Sequence, residues 1–175
     1  MAKTAENDVL PEELRGPLLE AMMTHAGFDG WSDKAMKLAA EDIGCSPEMA
    51  ELAYPLGPIE MLQTHLDQAD ANLKAALDEM GLHEMKIRDR ITVAVRTRIE
   101  QAADHRDAVQ RGFALLAMPQ HAVTGTKALM KTMDLMWRAA GDTATDYNWY
   151  TKRMTLAGVY RSTLTYWFSD ESEDF

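Results

Sequence analysis

The sequence predicts an all-α protein, on three observations. Apolar residues recur at helical spacing along most of the chain. Ser, Gly and Pro fall between those stretches, where helices start and stop. No stretch alternates apolar and polar residues convincingly, as a half-buried strand does. The 175 residues suit one domain, with two packed subdomains as the alternative, and 46% hydrophobic content is enough for a core.

The elements follow in order. Pro11 opens the first helix at a position where a missing N–H costs little, and Leu14, Leu18, Ala21 and Met22 carry its apolar face up to Phe28. Ser32 caps a second helix that stops at Gly44. Ser46-Pro47 caps a short third one, ending at Tyr54-Pro55. The fourth starts at Pro58 and runs to Gly81, with Met61, Leu62, Leu66, Leu73, Leu77 and Met80 on its apolar side. The fifth spans about Glu84 to Ala103, with Ile87, Ile91, Val95 and Ile99 four residues apart. The sixth covers about Arg106 to Ala117, the seventh about Val123 to Ala140, and the eighth about Asp146 to Phe168.

Composition excludes several function classes. A net charge of −10 argues against general affinity for nucleic acid or anionic lipid. One cysteine, Cys45, allows neither an internal disulfide nor a Cys-cluster zinc site, and fits a reducing compartment. No apolar run approaches the roughly 18 residues needed to span a bilayer. The opening MAKTAENDVLPEEL is acidic and polar, unlike a secretory signal or an Arg-rich transit peptide, so a soluble intracellular protein is expected.

The stretch MKLAAEDIGCSPEMAELAYPLGP (residues 36–58) has helix-turn-helix spacing. Ala39 and Ala40 let two helices approach, Gly44 permits a left-handed turn, and Ser46 restarts the chain as a helix. Followed by a bundle of longer helices, it resembles the TetR repressor architecture, which implies a ligand-responsive regulator. Electrostatics oppose that function. Twelve acidic and four basic residues precede Leu66, and Pro47–Tyr54 carries Glu48 and Glu51 with no Lys or Arg. Where TetR-type repressors grip phosphate with a Tyr and a Lys, rough register gives Glu51 and Gly57. Phosphate contacts supply most non-specific DNA affinity, so no DNA binding is expected from this degenerate module.

Nothing in the sequence marks a catalytic or metal centre. The residues three before the five histidines are Met22, Leu62, Met80, Ala102 and Met118, so the Glu-x-x-His pattern of di-iron bundles is absent. No H-E-x-x-H, glycine-rich phosphate loop or nucleophile elbow occurs. The expectation is a non-enzymatic protein without metal or cofactor.

The later helices are richer. Met130, Met133, Met136, Trp137 and Ala140 share an arc of roughly 120° on helix seven. Plain core is the ordinary reading of such a stripe, and a pliable apolar cavity is the functional one. On helix eight, Leu156, Tyr160, Leu164 and Trp167 lie within about 60° of Trp149, and Tyr150, Met154, Ala157 and Phe168 form a second strip. That arc is too wide for one core contact, so the helix is either central or faces core on one side and a ligand or partner on the other.

The runs LLAMPQ (115–120) and MDLMWRAAGDTATDYNWYTKRMTLAGVY (133–160) resemble the ubiquinone-biosynthesis accessory lipid-binding family, that of the ninth coenzyme Q protein, in a bacterial form. The resemblance covers about residues 80 to 170 and rests most on GDTATDYNWYTKR (141–153). It implies a TetR-like bundle without DNA binding. Such a bundle holds lipids, isoprenoid quinone species among them, and presents them to the demethoxyubiquinone hydroxylase. By the same resemblance the partner-facing patch falls on Asp134, Met136, Trp149 and Tyr150. It sets the lipid cavity among helices five to eight, where periodicity selects Leu115, Leu116, Met130, Met133, Leu156 and Tyr160. It also implies a homodimer, docking to the membrane surface through a C-terminal helix missing from these residues, and a place in the bacterial cytoplasm peripheral to the inner membrane. The expected organisation is a degenerate helix-turn-helix region (1–57), a lipid-binding bundle (58–170) and an acidic tail (171–175).

Overall fold

The computed structural model describes residues 10–172; residues 173–175 of the expected tail lie outside them. The described residues form an all-α protein with no strand. The helices are α1 (Pro11–Asp29), α2 (Asp33–Asp42), α3 (Pro47–Ala53), α4 (Pro58–Met80), α5 (Ile87–Glu100), α6 (Arg106–Leu116), α7 (Ala122–Ala139) and α8 (Tyr147–Ser169). Short 3-10 turns lie at Leu82–Glu84, Ala103–His105 and Pro119–His121. The caps are those the sequence predicts. Ser32 accepts from the Ala35 amide, Ser46 from the Met49 amide, and Asp146 from the Asn148 amide.

Helix α5 is shorter than its apolar pattern suggests. The residues before it turn instead, and Met85 and Lys86 are extended. Arg90 explains this. Its Nε donates to the Met85 carbonyl and its Nη2 to the His83 carbonyl, while Nη1 donates to the Ala140 carbonyl at 2.9 Å. One guanidinium satisfies carbonyls that a longer helix would have bonded internally, and ties the connection to the end of α7.

The chain divides into two compact units, one of residues through His65 with His105–Leu115, the other of Leu66–Asp104 with the residues from Leu116 on. In the first, α1, α2 and α3 pack on one another around Leu18, Met22, Ala35, Ala39 and Ala40. The alanines let backbones come close, and Gly44, at φ +67°, makes the turn between α2 and α3. Arg15 fastens the next connection: it donates to the Ala53 carbonyl, pairs with Glu60 at 2.9 Å and stacks over Tyr54, whose hydroxyl donates back to the Arg15 carbonyl. Helix α6 joins this unit because Gly112 lies against Leu62 and Trp31, where an added Cβ would come within 2.9 Å of Leu62 Cδ1. The Trp31 indole donates to the Ala108 carbonyl at 2.9 Å.

The second unit packs the rest of α4 with α5, α7 and α8 around Leu73, Leu77, Ala94, Met133, Met136, Leu156, Leu164 and Trp167. It also buries a polar group. Thr132 donates to Asp70 at 2.9 Å, and the Arg98 guanidinium lies 3.4 Å from the same carboxylate. Burial pushes the Asp70 carboxyl up, and Arg98 and Thr132 only partly offset it.

Candidate functional site

The segment 141–153 begins where α7 ends. Gly141, at φ +93°, leaves the helix, and the Asp142 amide bonds back to the Trp137 carbonyl at 2.9 Å. Residues 143–145 are a polar connection, and Asp146 starts α8. The turn sets the first two turns of α8 beside the last two of α7, which brings Asp134, Asp142, Trp149, Lys152 and Arg153 together.

Arg153 is the centre of this corner and is fully buried. Its Nε donates to Asp134 Oδ1 at 2.8 Å and its Nη1 to Asp142 Oδ2 at 2.8 Å. Its guanidinium carbon lies 4.6 Å from the centroid of the Trp149 ring. The Trp149 indole donates to the same Asp134 oxygen at 3.0 Å, Arg138 reaches the other at 2.8 Å, and Lys152 caps Asp142 at 2.6 Å. A buried cation is tolerated only when paired and hydrogen-bonded, and two carboxylates and an aromatic face provide that here. The hydrogen bond from Lys152, assisted by Arg153 and the Ala144 amide, lowers the Asp142 pKa to about 2. At Asp134, burial pushes the carboxyl up, but Arg138 and Arg153 outweigh it and the net shift is downward.

The four residues assigned to a partner patch therefore sit in different settings. Asp134 is half-buried and already accepts three hydrogen bonds from side chains. Met136 is fully buried in the core. Trp149 is half-buried, held by its indole N–H, with the Tyr150 ring edge-on to it at 4.8 Å. Tyr150 is 61% exposed. It shares the outer face of α8 with Tyr147 and Met154, 78% and 61% exposed, at i, i+3 and i+7 spacing. The sequence reading gives Arg153 no role and Asp142 only a place in the polar turn before α8, yet together they organise the corner.

A second feature lies further along α8. A groove of about 430 Å³ runs between α5 and α8, lined by apolar groups of Ile91, Val95, Ile99, Leu156, Val159, Tyr166 and Trp167 and edged by Arg96, Glu100 and Asp170. The residues 91, 95 and 99 are the four-spaced face of α5, and 156, 159, 163, 166 and 167 are one side of α8, with Asp170 just past its end. Of the six residues chosen for a lipid cavity, Leu156 lines this groove. Tyr160 and Met133 are buried in the core of the same unit. Met130 is half-buried on α7. Leu116 is half-buried where its carbonyl closes on Gly125, and Leu115 is half-buried in the other unit. Periodicity marked the apolar face of α5 but not that part of it stays uncovered. Among the described residues no three His, Cys, Asp or Glu side chains gather as a metal site would require.

The sequence model of the COQ9 family matches residues 122–175, the stretch that holds α7, the corner and α8. Similarity to curated proteins extends much further. The chain is 31% identical over 171 residues to the mitochondrial ubiquinone biosynthesis protein COQ9 of Bos taurus, covering 94% of this chain and 53% of that protein. The Rattus norvegicus counterpart is 30% identical, with 94% and 54% covered. That of Drosophila melanogaster is 30% identical over 175 residues, with 98% and 52% covered. The chain thus spans about half the length of the curated relatives it matches. These relatives are named as mitochondrial proteins of eukaryotes, which overturns the expected setting in the bacterial cytoplasm. That expectation came from reading the resemblance in a bacterial form, whereas the relatives matched are eukaryotic. The sequence resemblance itself holds: over nearly its whole length, this chain is similar to the COQ9 ubiquinone biosynthesis proteins.

Proposed function

We infer that the chain serves ubiquinone biosynthesis as a non-enzymatic, lipid-binding accessory protein. The observation that carries this reading is the apolar groove between α5 and α8, on a helix matched by the COQ9 family model. At about 430 Å³ its size is that of a small-molecule site, its walls are aliphatic and aromatic, and its few charged groups stand at the edge. An isoprenoid tail suits those walls, with a quinone head toward Arg96, Glu100 and Asp170. The exposed Tyr147, Tyr150 and Met154, braced by the corner, form the surface for the demethoxyubiquinone hydroxylase, which would take the quinone intermediate. In this reading Asp134 and Trp149 orient the surface, Tyr150 makes the contact, and Met136 supports it from the core. Homodimers of TetR-like bundles form through their last helices, so self-association would compete for the outer face of α8.

Lipids extracted from the purified chain and identified by mass spectrometry test this reading. An isoprenoid quinone or a related long-chain lipid at near-stoichiometric amount is expected. No bound lipid, together with normal quinone content in a strain lacking the gene, would overturn it. A ligand-responsive repressor is the weaker reading, because α3 exposes Glu48, Glu51 and Leu52 and carries no Lys or Arg for phosphate.

A further inference from the structure

The helix-turn-helix spacing of residues 36–58 has no role in the lipid reading, yet its third helix stays accessible. Within the first unit a depression of about 430 Å³ opens beside α2 and α3, lined by Met36, Ala50, Tyr54, Pro55, Leu56 and charged side chains. Met36, Ala50 and Tyr54 are buried and form its floor. Leu56, 70% exposed, stands at its edge, and Leu52, 61% exposed, continues the apolar surface along α3. Exposed aliphatic side chains that border a buried apolar floor form the kind of patch a contact surface uses.

Charge selects the occupant. On α2 and α3, Lys34 is engaged by Asp29 and Asp42 by His25. That leaves Asp33, Glu41, Glu48 and Glu51 against Lys37, and among the described residues none of these five is in an ion pair. The position that meets phosphate in a DNA reader is here acidic, so nucleic acid and anionic lipid are repelled. A second copy that met this face with its own would set the same carboxylates against one another. We propose that the α2–α3 face is a docking site for a partner protein segment that is basic and amphipathic, its aliphatic side chains seated over Met36, Ala50 and Leu56 and its Lys or Arg side chains paired with Asp33, Glu48 and Glu51. Such pairing governs the rate of encounter and the choice of partner, and salt weakens it.

The test titrates the full chain, isotope-labelled, with a synthetic leucine–lysine amphipathic peptide, followed by amide chemical shifts. The expected result is saturable shifts concentrated at residues 33–37 and 47–58, weakening as salt rises, with no shifts from the matching leucine–glutamate peptide. Glu48→Lys with Glu51→Lys should weaken binding at least tenfold. Glu79→Lys with Glu84→Lys, an equal change of net charge on exposed residues elsewhere, should change it less than twofold. Circular dichroism of both variants checks that the helices persist. Shifts centred on the α5–α8 groove, or equal weakening by the two charge-reversed pairs, would overturn the proposal.

Discussion

Helix α8 carries aromatic residues at both ends, and the two ends use them differently. At its start Trp149 is bound: its indole N–H is held by Asp134, its face lies under Arg153, and the Tyr150 ring packs near-perpendicular to it. Toward its end Trp167 is buried with part of its surface lining the apolar groove, beside the exposed Tyr166. The first region is rigid because charges that leave water must be paired in fixed geometry. The second is lined by apolar side chains and open to solvent, and dispersion contacts can accept ligands of varied length. One continuous helix thus carries a charge-paired corner at its start and an open apolar groove further along.

The largest expected effect comes from breaking the frame at its centre. Arg153→Ala strips Asp134 and the nearly buried Asp142 of their shared cation. A loss of about 3–5 kcal/mol in urea unfolding is expected for such a broken buried pair. If the loss stays near that of a surface change, the corner is not a frame. Trp149→Ala comes next. It removes an indole hydrogen bond and the aromatic face over Arg153, and about 2–3 kcal/mol of stability should go with them. A helical wheel that only ranks Trp149 as buried or partner-facing misses this, because a half-buried ring is here a structural strut.

Acid probes the same corner without mutation. The folded Asp142 titrates at about 2 against an ordinary 3.8. Its depressed pKa adds stability that is fully present above the ordinary value and is lost as pH falls from 3.8 through about 2. The contribution is on the order of 2 kcal/mol. Asp142→Asn should flatten that part of the stability–pH profile, measured by urea midpoints across the window. An unchanged acid slope would show that Lys152 and Arg153 do not hold the carboxylate. The smallest structural effect belongs to Tyr150→Ala. With its ring mostly in solvent, stability should move by about 0.5 kcal/mol or less. Binding to the hydroxylase, measured by co-purification or calorimetry, should fall instead. A large stability loss with intact binding would reverse the roles given to Trp149 and Tyr150.

How far the sequence reveals this arrangement depends on how local the cause is. Ser32, Ser46 and Asp146 cap helices through the amides two or three residues ahead, so their pattern is readable. Helix α5 starts later than its apolar spacing implies because Arg90 bonds carbonyls on both sides of the connection, one of them fifty residues away. Arg153 is harder still. Its burial depends on Asp134, 19 residues earlier, lying one turn of helix from the site where Asp142 arrives. A basic residue on a helix normally points outward, and no spacing rule says otherwise. The string GDTATDYNWYTKR signals importance through its aromatics, whereas its aspartate, lysine and arginine do the holding. The groove shows the same limit. Ile91, Val95 and Ile99 mark an apolar face, but periodicity does not say whether a neighbour fully covers it.

Substitution inside the groove brings the two regions into one measurement. Val159 lines the groove and is 53% exposed, so Val159→Lys should leave stability within about 0.5 kcal/mol while placing a charge among the apolar walls. Native mass spectrometry of the wild-type and Val159→Lys chains, purified side by side, measures retained lipid directly. The account predicts a lipid-bound wild type and a variant that folds equally well but has lost most of that lipid. Equal lipid on both chains, or none on either, would contradict it.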